Sequence, residues 1–160
     1  MVATGVDFER LFRTEYPRLV ALGVAMTGTT EVARDLAQET MARAYAHLDS
    51  LATADAPSAW LRRVMSNLLI DHHRRRGSER VALNRIARRP VADASIPAES
   101  RFHELLGVLS DRQRAVVALY YADDLSIDEI AETLDIAGGT VKALLWKARR
   151  RLEQYLEEGR

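Results

Sequence analysis

The residues best suited to chemistry lie near the C-terminus, where a short apolar helix is predicted to precede a basic one. Ser126 can cap the first helix, and Glu129, three residues later, can complete a capping box. Turn-forming residues follow at 135–139, and the second helix has no acidic residue from Thr140 to Leu152. This pattern predicts a helix-turn-helix, whose second helix is shaped to enter a DNA major groove. An ordinary helical hairpin with a solvated basic face is the alternative, which the one-sided charge disfavours.

The second helix of this motif divides into a buried stripe and an outward face. The apolar stripe begins at Val141 and repeats at helical spacing as far as Leu152, which predicts packing against the first helix. The basic side chains lie on the other faces, where they can contact phosphate. The outward candidates for contact with DNA are Thr140, Lys142, Ala143, Trp146, Lys147 and Arg150.

Other residues that could support catalysis or metal binding lack the required spacing. The adjacent His72 and His73 point to different helix faces, and no third ligand follows at helical spacing. The acids from Asp123 to Glu129 lack the alternation and central glycine of a calcium loop. Residues 138–142 follow a helix and not a strand, so they do not form a phosphate-binding loop. With no cysteine in the chain, thiolate metal sites and disulfides are also excluded, and we predict no catalytic residue, metal or cofactor.

The composition indicates an all-α protein. Of 160 residues, 48% are hydrophobic and 29% charged, with few glycines and prolines and no alternating strand pattern. The formal net charge is zero, but the charges are segregated. Nine arginines and two acids lie between Arg62 and Arg89, whereas six acids and no base lie from Asp123 to Asp135. Local basic patches, and not the total, attract phosphate.

The chain is predicted to form two small helical domains joined by a flexible linker. Residues 7–76 form one helical block, in which Pro17 is expected to start a helix and Gly77 to stop the last one. Residues 77–98 form the linker, which is rich in arginine and alanine. Residues 99–158 form the second block. Each block is near the lower size limit for an independent core, so each is expected to gain stability from a partner.

The location predicted for the chain is the cytoplasm. No apolar run approaches the roughly 18 residues that span a bilayer, so no membrane insertion is expected. The residues at 1–7 lack the basic start and apolar core of a signal peptide.

Three further segments resemble those of a known protein family. The segment DLAQET at 35–40, followed by RAY at 43–45, closely resembles the second conserved region of bacterial sigma factors. The segments AWLRRV at 59–64 and NLLIDHHRRR at 67–76 resemble their promoter-melting and minus-ten segment. LSDRQR at 109–114 and the helix-turn-helix resemble their fourth region. The order, spacing and length are similar to those of the extracytoplasmic-function type, which keeps only these two domains.

The resemblance implies an alternative sigma factor that binds core RNA polymerase and starts promoter-specific transcription. Four polar residues of the first block would bind the clamp helices of the largest polymerase subunit. They share one predicted helix face, and periodicity alone would predict only that this face is exposed to solvent. The resemblance also implies an anti-sigma partner that holds the protein inactive. The four residues are Asp35, Gln38, Glu39 and Arg43.

The resemblance further implies that the helix after residue 56 holds the separated non-template strand at the minus-ten element. Trp60, Arg63 and Asn67 recur at helical spacing, and they offer a stacking ring, a cation and an amide for melted DNA. A buried core position remains open for Trp60. A flipped base would fit the loop at 49–57. The arginines that would contact the backbone phosphates are Arg74, Arg75 and Arg76.

The recognition helix departs from the family pattern. Ala143 and Leu144 replace a usual serine and arginine, and Trp146 replaces a common histidine. Because arginine is the standard reader of guanine edges, the usual minus-thirty-five sequence is in doubt. Ala143 can contact a thymine methyl group, or Leu144 and Trp146 can form a protein contact and dock an inhibitor. A helix-turn-helix repressor and a polymerase-binding decoy are the competing functions.

Overall fold

The computed structural model describes residues 6–54, 56–83 and 98–159, and every regular element in this part of the chain is a helix. The all-α prediction is therefore confirmed. Most of the predicted linker, at 84–97, lies outside the described residues. The helices are α1 Phe8–Thr27, α2 Thr30–Ala46, α3 Leu48–Ala52, α4 Pro57–Leu83, α5 Ala98–Leu106, α6 Asp111–Tyr121, α7 Ile127–Leu134 and α8 Gly138–Glu158.

Helix α1 is one continuous helix, so the prediction that Pro17 starts a new helix is wrong. The Asp7 carboxylate caps its first turn by accepting from the Arg10 N–H at 3.2 Å, and Gly28 ends it with φ of 73°. Pro17 lies in the middle, where it removes one backbone hydrogen bond to the Arg13 carbonyl. Both residues are exposed, so water can satisfy that carbonyl and the helix continues.

Helix α4 runs past Gly77 to Leu83, so the prediction that Gly77 stops it is also wrong. An exposed glycine inside a helix costs about 1 kcal/mol relative to alanine, which the turns on either side can offset. No atom lies within 4 Å of where a Cβ at Gly77 would be, so no close packing requires the glycine. The segment at 67–76 therefore lies on a helix longer than the sequence predicted.

The buried stripe of α2 ends at Ala44, which is fully buried. The next residue, Tyr45, is 65% exposed, and its ring contacts Phe8 of α1 edge-on, with centroids 5.2 Å apart. Helix α2 ends at Ala46, and the short helix α3 follows from Leu48.

Two helices of the second block begin with capping boxes, of which the sequence predicted the one at Ser126. The Ser126 Oγ accepts from the Glu129 N–H at 3.2 Å, and the Glu129 carboxylate accepts from the Ser126 N–H at 2.8 Å. Ser110 and Gln113 form the same arrangement at the start of α6. The reciprocal bonds satisfy N–H groups that would otherwise lack partners, and they fix where α6 and α7 begin.

A single hydrophobic core runs through both blocks. It joins buried residues of α1, α2 and α4 to buried residues of α6, α7 and α8. Helix α1 packs against α5 and α6, and α4 packs against α6 and α7. Each small block is thus stabilised by packing against the other block. The relative orientation, which the sequence left open, is set by this shared core.

Glycine permits close approach at one junction of the blocks. Gly28 adopts a left-handed conformation, and a Cβ there would lie 2.5 Å from the Cδ2 atom of His103 in α5. Any larger residue would therefore be strained and would push α5 away from the α1–α2 turn.

Candidate polymerase and nucleic-acid interfaces

The α2 surface carries the four residues predicted to bind polymerase. Asp35, Gln38, Glu39 and Arg43 are all exposed on this helix. The Arg43 Nε donates to the Glu39 carboxylate at 2.9 Å, so this pair is already oriented along the helix. The opposite face packs into the core through Ala33, Ala37 and Thr40.

The packing behind this surface is held by Thr40. Its hydroxyl is fully buried and donates to the Leu36 carbonyl at 2.8 Å, with the Met65 sulfur of α4 at 3.5 Å. This contact joins α2 to α4 directly behind the exposed α2 surface.

Trp60 and Arg63 lie side by side on α4, at the border with α7. The Trp60 ring is partly buried, with its centroid 6.1 Å from that of His47. Both side chains line a cavity of about 180 Å³ whose other wall contains Glu132 and Thr133 of α7. The Arg63 Nη2 donates to the Glu132 carbonyl oxygen at 2.7 Å. The cation predicted to bind a melted strand is therefore engaged by the second block.

The next turns of α4 also face the second block. Asn67 and Arg74 line a cavity of about 340 Å³ together with Leu134, Ile136 and Leu144. These three apolar residues come from α7, the turn and α8. Arg75 is exposed, and Arg76 lines a separate cavity below the end of α1. The structure therefore brings Trp60, Arg63, Asn67 and Arg74 to the interface of the blocks and separates them from Arg75 and Arg76.

An ion pair that the sequence did not indicate joins the blocks beside Arg63. The Arg62 Nε lies 3.4 Å from the Asp123 Oδ2, with the two side chains 19% and 16% exposed. Burial raises the pKa of the Asp123 carboxyl, and the nearby Arg62 and Arg18 offset only part of this effect. The pair is thus partly desolvated, and removal of either partner leaves a charge without compensation.

A histidine cluster lies at the other junction of the blocks. Burial, and to a smaller extent the charges of Arg114, His72 and His103, together lower the pKa of His73 to about 4. A hydrogen bond to the Met26 backbone acts in the opposite direction. The His73 ring is therefore neutral at pH 7 while α4, α5 and α6 are packed around it. No group of three or more His, Asp or Glu side chains in the described ranges could hold a metal ion.

The α8 candidates are exposed and line neither of the cavities at the border of the two blocks. Trp146 is 60% exposed, and the Arg150 guanidinium lies 5.4 Å from its ring centroid. Leu144, in contrast, is partly buried against the core and lines the 340 Å³ cavity. From the sequence, Leu144 and Trp146 could together form a protein contact. In the structure, Leu144 packs within the chain, whereas Trp146 is exposed. The residues predicted to contact DNA are all exposed: Thr140, Lys142, Ala143, Trp146, Lys147 and Arg150.

Reasoning from sequence missed the residues that join the blocks. Arg62, Asp123 and His73 are unremarkable members of local charge patterns, and their partners lie far away in the chain. Leu144 is the exception, because the family usually has a polar residue at this position. The apolar substitution was therefore a visible signal of a packing contact. No helix in the described part of the chain combines the length and apolar character needed to cross a bilayer.

Comparison with known proteins identifies the family. Residues 11–79 match the Sigma-70 region 2 family, and residues 99–152 match the Sigma-70, region 4 family. The chain is 31% identical over 153 residues to the RNA polymerase sigma-E factor of Streptomyces coelicolor, covering 94% of this chain and 86% of that protein. It is 31% identical over 157 residues to the ECF RNA polymerase sigma factor SigW of Bacillus subtilis, covering 88% and 84%. The chain belongs to the extracytoplasmic-function sigma factors. It directs RNA polymerase in transcription initiation and has no catalytic activity of its own.

The structure of this sigma factor is also similar to a solved one. The sigma factor RpoE of Bartonella quintana, in complex with the anti-sigma factor NepR, matches with a TM-score of 0.72 and 28% identity over 96% of this chain and 99% of that one. Each block contains only about half of the described residues, so a match of one block alone could not give a TM-score of 0.72. Both regions therefore superpose together, with region 2 carrying α1–α4 and region 4 carrying α5–α8.

Proposed function

We propose that this sigma factor uses three separate surfaces for its three tasks. The α2 strip binds the clamp helices of the largest polymerase subunit through Gln38 and Glu39. The α4 face holds the non-template strand at the minus-ten element, and the outward face of α8 reads the minus-thirty-five element. The observation that carries the proposal is that the polar face of α2 and the basic face of α8 are both exposed. The two faces lie on different helices.

The chemistry of each surface fits its task. The α2 strip offers an amide and a preoriented Glu39–Arg43 pair, which suit a polar protein surface. On α8, lysine and arginine supply phosphate contacts that position the helix, while Trp146 and Ala143 present apolar groups to base edges. On α4, a partly exposed indole beside a guanidinium suits an unstacked base and its phosphate.

The proposal includes a protein inhibitor and a location. RpoE of Bartonella quintana binds the anti-sigma factor NepR, and the present chain superposes on that protein over both regions. We therefore expect an anti-sigma factor to bind this chain as well. Since bacterial promoters and core polymerase are cytoplasmic, the cytoplasm is the proposed location.

Reconstituted transcription tests the proposal. The purified chain and core polymerase are supplied with a pool of promoter fragments, and the products identify the promoter. We expect Gln38→Ala/Glu39→Ala to abolish polymerase binding and initiation. The chain offers a matched control, Glu153→Ala/Gln154→Ala, which removes the same two side-chain types from an exposed site on α8.

The outcomes separate the surfaces. If the α2 double variant and the control initiate equally well, α2 is not the polymerase contact. If the parent chain binds polymerase but initiates at no promoter, the roles proposed for α4 and α8 are wrong.

A further inference from the structure

The outward face of α8 carries a large aromatic ring among basic side chains. Trp146 is 60% exposed, although burial of an indole ring is strongly favourable. Five basic side chains lie within five residues of it in the chain, and no acid occurs from Thr140 to Leu152. Because an exposed ring favours an apolar partner and its neighbours favour an anionic one, this face suits a ligand that offers both.

The ring is held in place by the cation one turn further along the helix. The Arg150 guanidinium carbon lies 5.4 Å from the centroid of the Trp146 ring, within the range of a cation–π contact. Side chains of a helix lean toward its N-terminus, so the indole in turn extends toward the exposed Ala143. Ala143 and Trp146 thus form one apolar strip, with a guanidinium at its C-terminal end.

The dimensions of this strip fit the edges of stacked base pairs. Residues three apart on a helix are separated by about 4.5 Å along its axis. Base pairs of duplex DNA stack about 3.4 Å apart. The C5-methyl group of thymine is the apolar group that the major groove presents. An apolar strip of this length that enters the groove therefore meets the methyl groups of neighbouring base pairs.

The small size of the apolar strip favours DNA over a protein partner. Leu144 is partly buried and packs within the chain, so it adds nothing to the outward face. The other large hydrophobic side chains of α8 that are exposed, Tyr155 and Leu156, lie more than two turns further along. A stable protein interface buries about 800 Å² on each partner, which one ring and one methyl group do not supply.

We infer that Ala143 and Trp146 read the methyl groups of thymines in two adjacent base pairs of the minus-thirty-five element, with Arg150 as a positioning residue that holds the indole ring. The inference rests on the proposed role of α8 in reading duplex DNA, and it names the bases that α8 reads. Cytosine has no methyl group at C5, and neither purine presents one in the major groove. The strip therefore discriminates thymine from the other three bases.

Removal of single methyl groups from the DNA tests this readout. The full chain, alone and bound to core polymerase, is first used to enrich a preferred element from a duplex pool of random sequence. Each thymine of that element is then replaced by deoxyuridine, which keeps the base pair and removes only the methyl group. Fluorescence anisotropy measures the affinity. We expect a loss of about fourfold, which corresponds to about 0.8 kcal/mol, at each of two adjacent base pairs.

Two variants connect each methyl group to its reader. Trp146→His replaces the indole with a smaller polar ring, and Ala143→Gly removes the alanine methyl group. Each variant should lose the uracil effect at one of the two base pairs and keep it at the other. The control is Tyr155→His, which makes the corresponding change at an exposed position beyond the strip and should keep both effects. All of these side chains are exposed, and far-UV circular dichroism confirms that each variant is folded.

A conservative variant tests the positioning role of Arg150. Arg150→Lys keeps the positive charge for phosphate but lacks the planar group that stacks on the ring. We expect the salt dependence of binding to stay that of the parent chain, while the uracil effect at the base pair read by Trp146 becomes smaller. A uracil effect equal to that of the parent would show that Arg150 does not hold the ring.

Three results would overturn the inference. They are an enriched element without thymines in adjacent base pairs, an affinity that deoxyuridine does not change, and a uracil effect that Trp146→His leaves intact at both base pairs. The last result would assign the exposed ring to a protein partner instead. Failure of the proposed function is recognised separately: a chain that enriches no duplex sequence in either form does not read DNA through α8 at all, so the inference falls with that role.

Discussion

The two helices proposed to contact promoter DNA, α4 and α8, differ in how they are presented. Trp60, Arg63 and Asn67 of α4 line cavities shared with region 4, and Arg63 already has a backbone partner there. The outward residues of α8, such as Lys147 and Trp146, face solvent. The difference is tertiary: both helices keep exposed polar side chains, but those of α4 lie at the border with region 4, whereas the α8 candidates line neither of the border cavities.

The largest effect should come from the core that the two regions share. Leu69→Ala in α4 removes a fully buried side chain, and we expect it to lower the free energy of unfolding by about 2–5 kcal/mol. If the core is continuous, regions 2 and 4 should unfold together. Trp60 and Trp146 lie in different regions, so Trp146→Phe and Trp60→Phe variants each report on one region by fluorescence. Two separate transitions would contradict the shared core.

A second comparison sets Arg63, which donates to region 4, against Arg150 on the outward face of α8. In the free chain, Arg150→Ala should weaken binding to duplex promoter DNA and reduce its salt dependence, whereas Arg63→Ala should leave duplex binding unchanged. In the holoenzyme, Arg63→Ala should weaken binding of the melted strand by about 1–3 kcal/mol and reduce initiation accordingly. The measurements are fluorescence anisotropy and reconstituted transcription. An effect of Arg63→Ala on duplex binding by the free chain would contradict the separate roles proposed for α4 and α8.

Acidification should loosen the packing of the regions through His73. Its pKa is about 4 when packed and 6.5 when released, so the released state binds more protons between these values. The packed state should therefore be fully stable above pH 6.5 and lose about 1–2 kcal/mol as the pH falls toward 4, once solvent screening of this half-exposed ring is included. The basic groups that face the ring and disfavour its charge are Arg114, Arg76, His72 and His103. The acid in the same cavity is Asp111.

Because the chain has no native cysteine, spin labels at Thr14→Cys in α1 and Gln154→Cys in α8, both exposed positions, report the distance between the regions, and this distance followed against pH measures the effect. His73→Gln should flatten the profile, and His47→Gln, at an exposed site, should not. Burial raises the pKa of Asp123, so its protonation favours the packed state at the acid end, and Asp123→Asn removes that contribution. An identical profile for the parent and His73→Gln would contradict the role of His73.

The smallest effect should be confined to the helix-turn-helix. Ser126→Ala removes the side chain that accepts from the Glu129 N–H, and we expect a loss of about 1 kcal/mol in the free energy of unfolding. Denaturation followed through Trp146 measures the loss. Ser50→Ala, at an exposed position in α3, is the control and should change nothing. Equal stability of both variants would mean that the capping box does not hold α7 in place.

Local signals were sufficient for most elements but not for all of them. The capping box at Ser126 was readable because the cap and its partner lie three residues apart. Pro17 and Gly77 were misread as helix boundaries, because a local rule cannot register the neighbouring turns and packing that carry a helix through an unfavourable residue.

The sequence by itself determined the family, the helical class, the helix-turn-helix and which side chains could contact polymerase or DNA. These follow from residue type and spacing along the chain, and they survive any arrangement of the two regions. Only the tertiary structure decided that Arg63 meets Glu132, that Arg62 meets Asp123 and that Leu144 turns inward while Trp146 turns outward. These contacts join residues far apart in the chain, and they depend on the geometry of a shared hydrophobic core that no local pattern encodes.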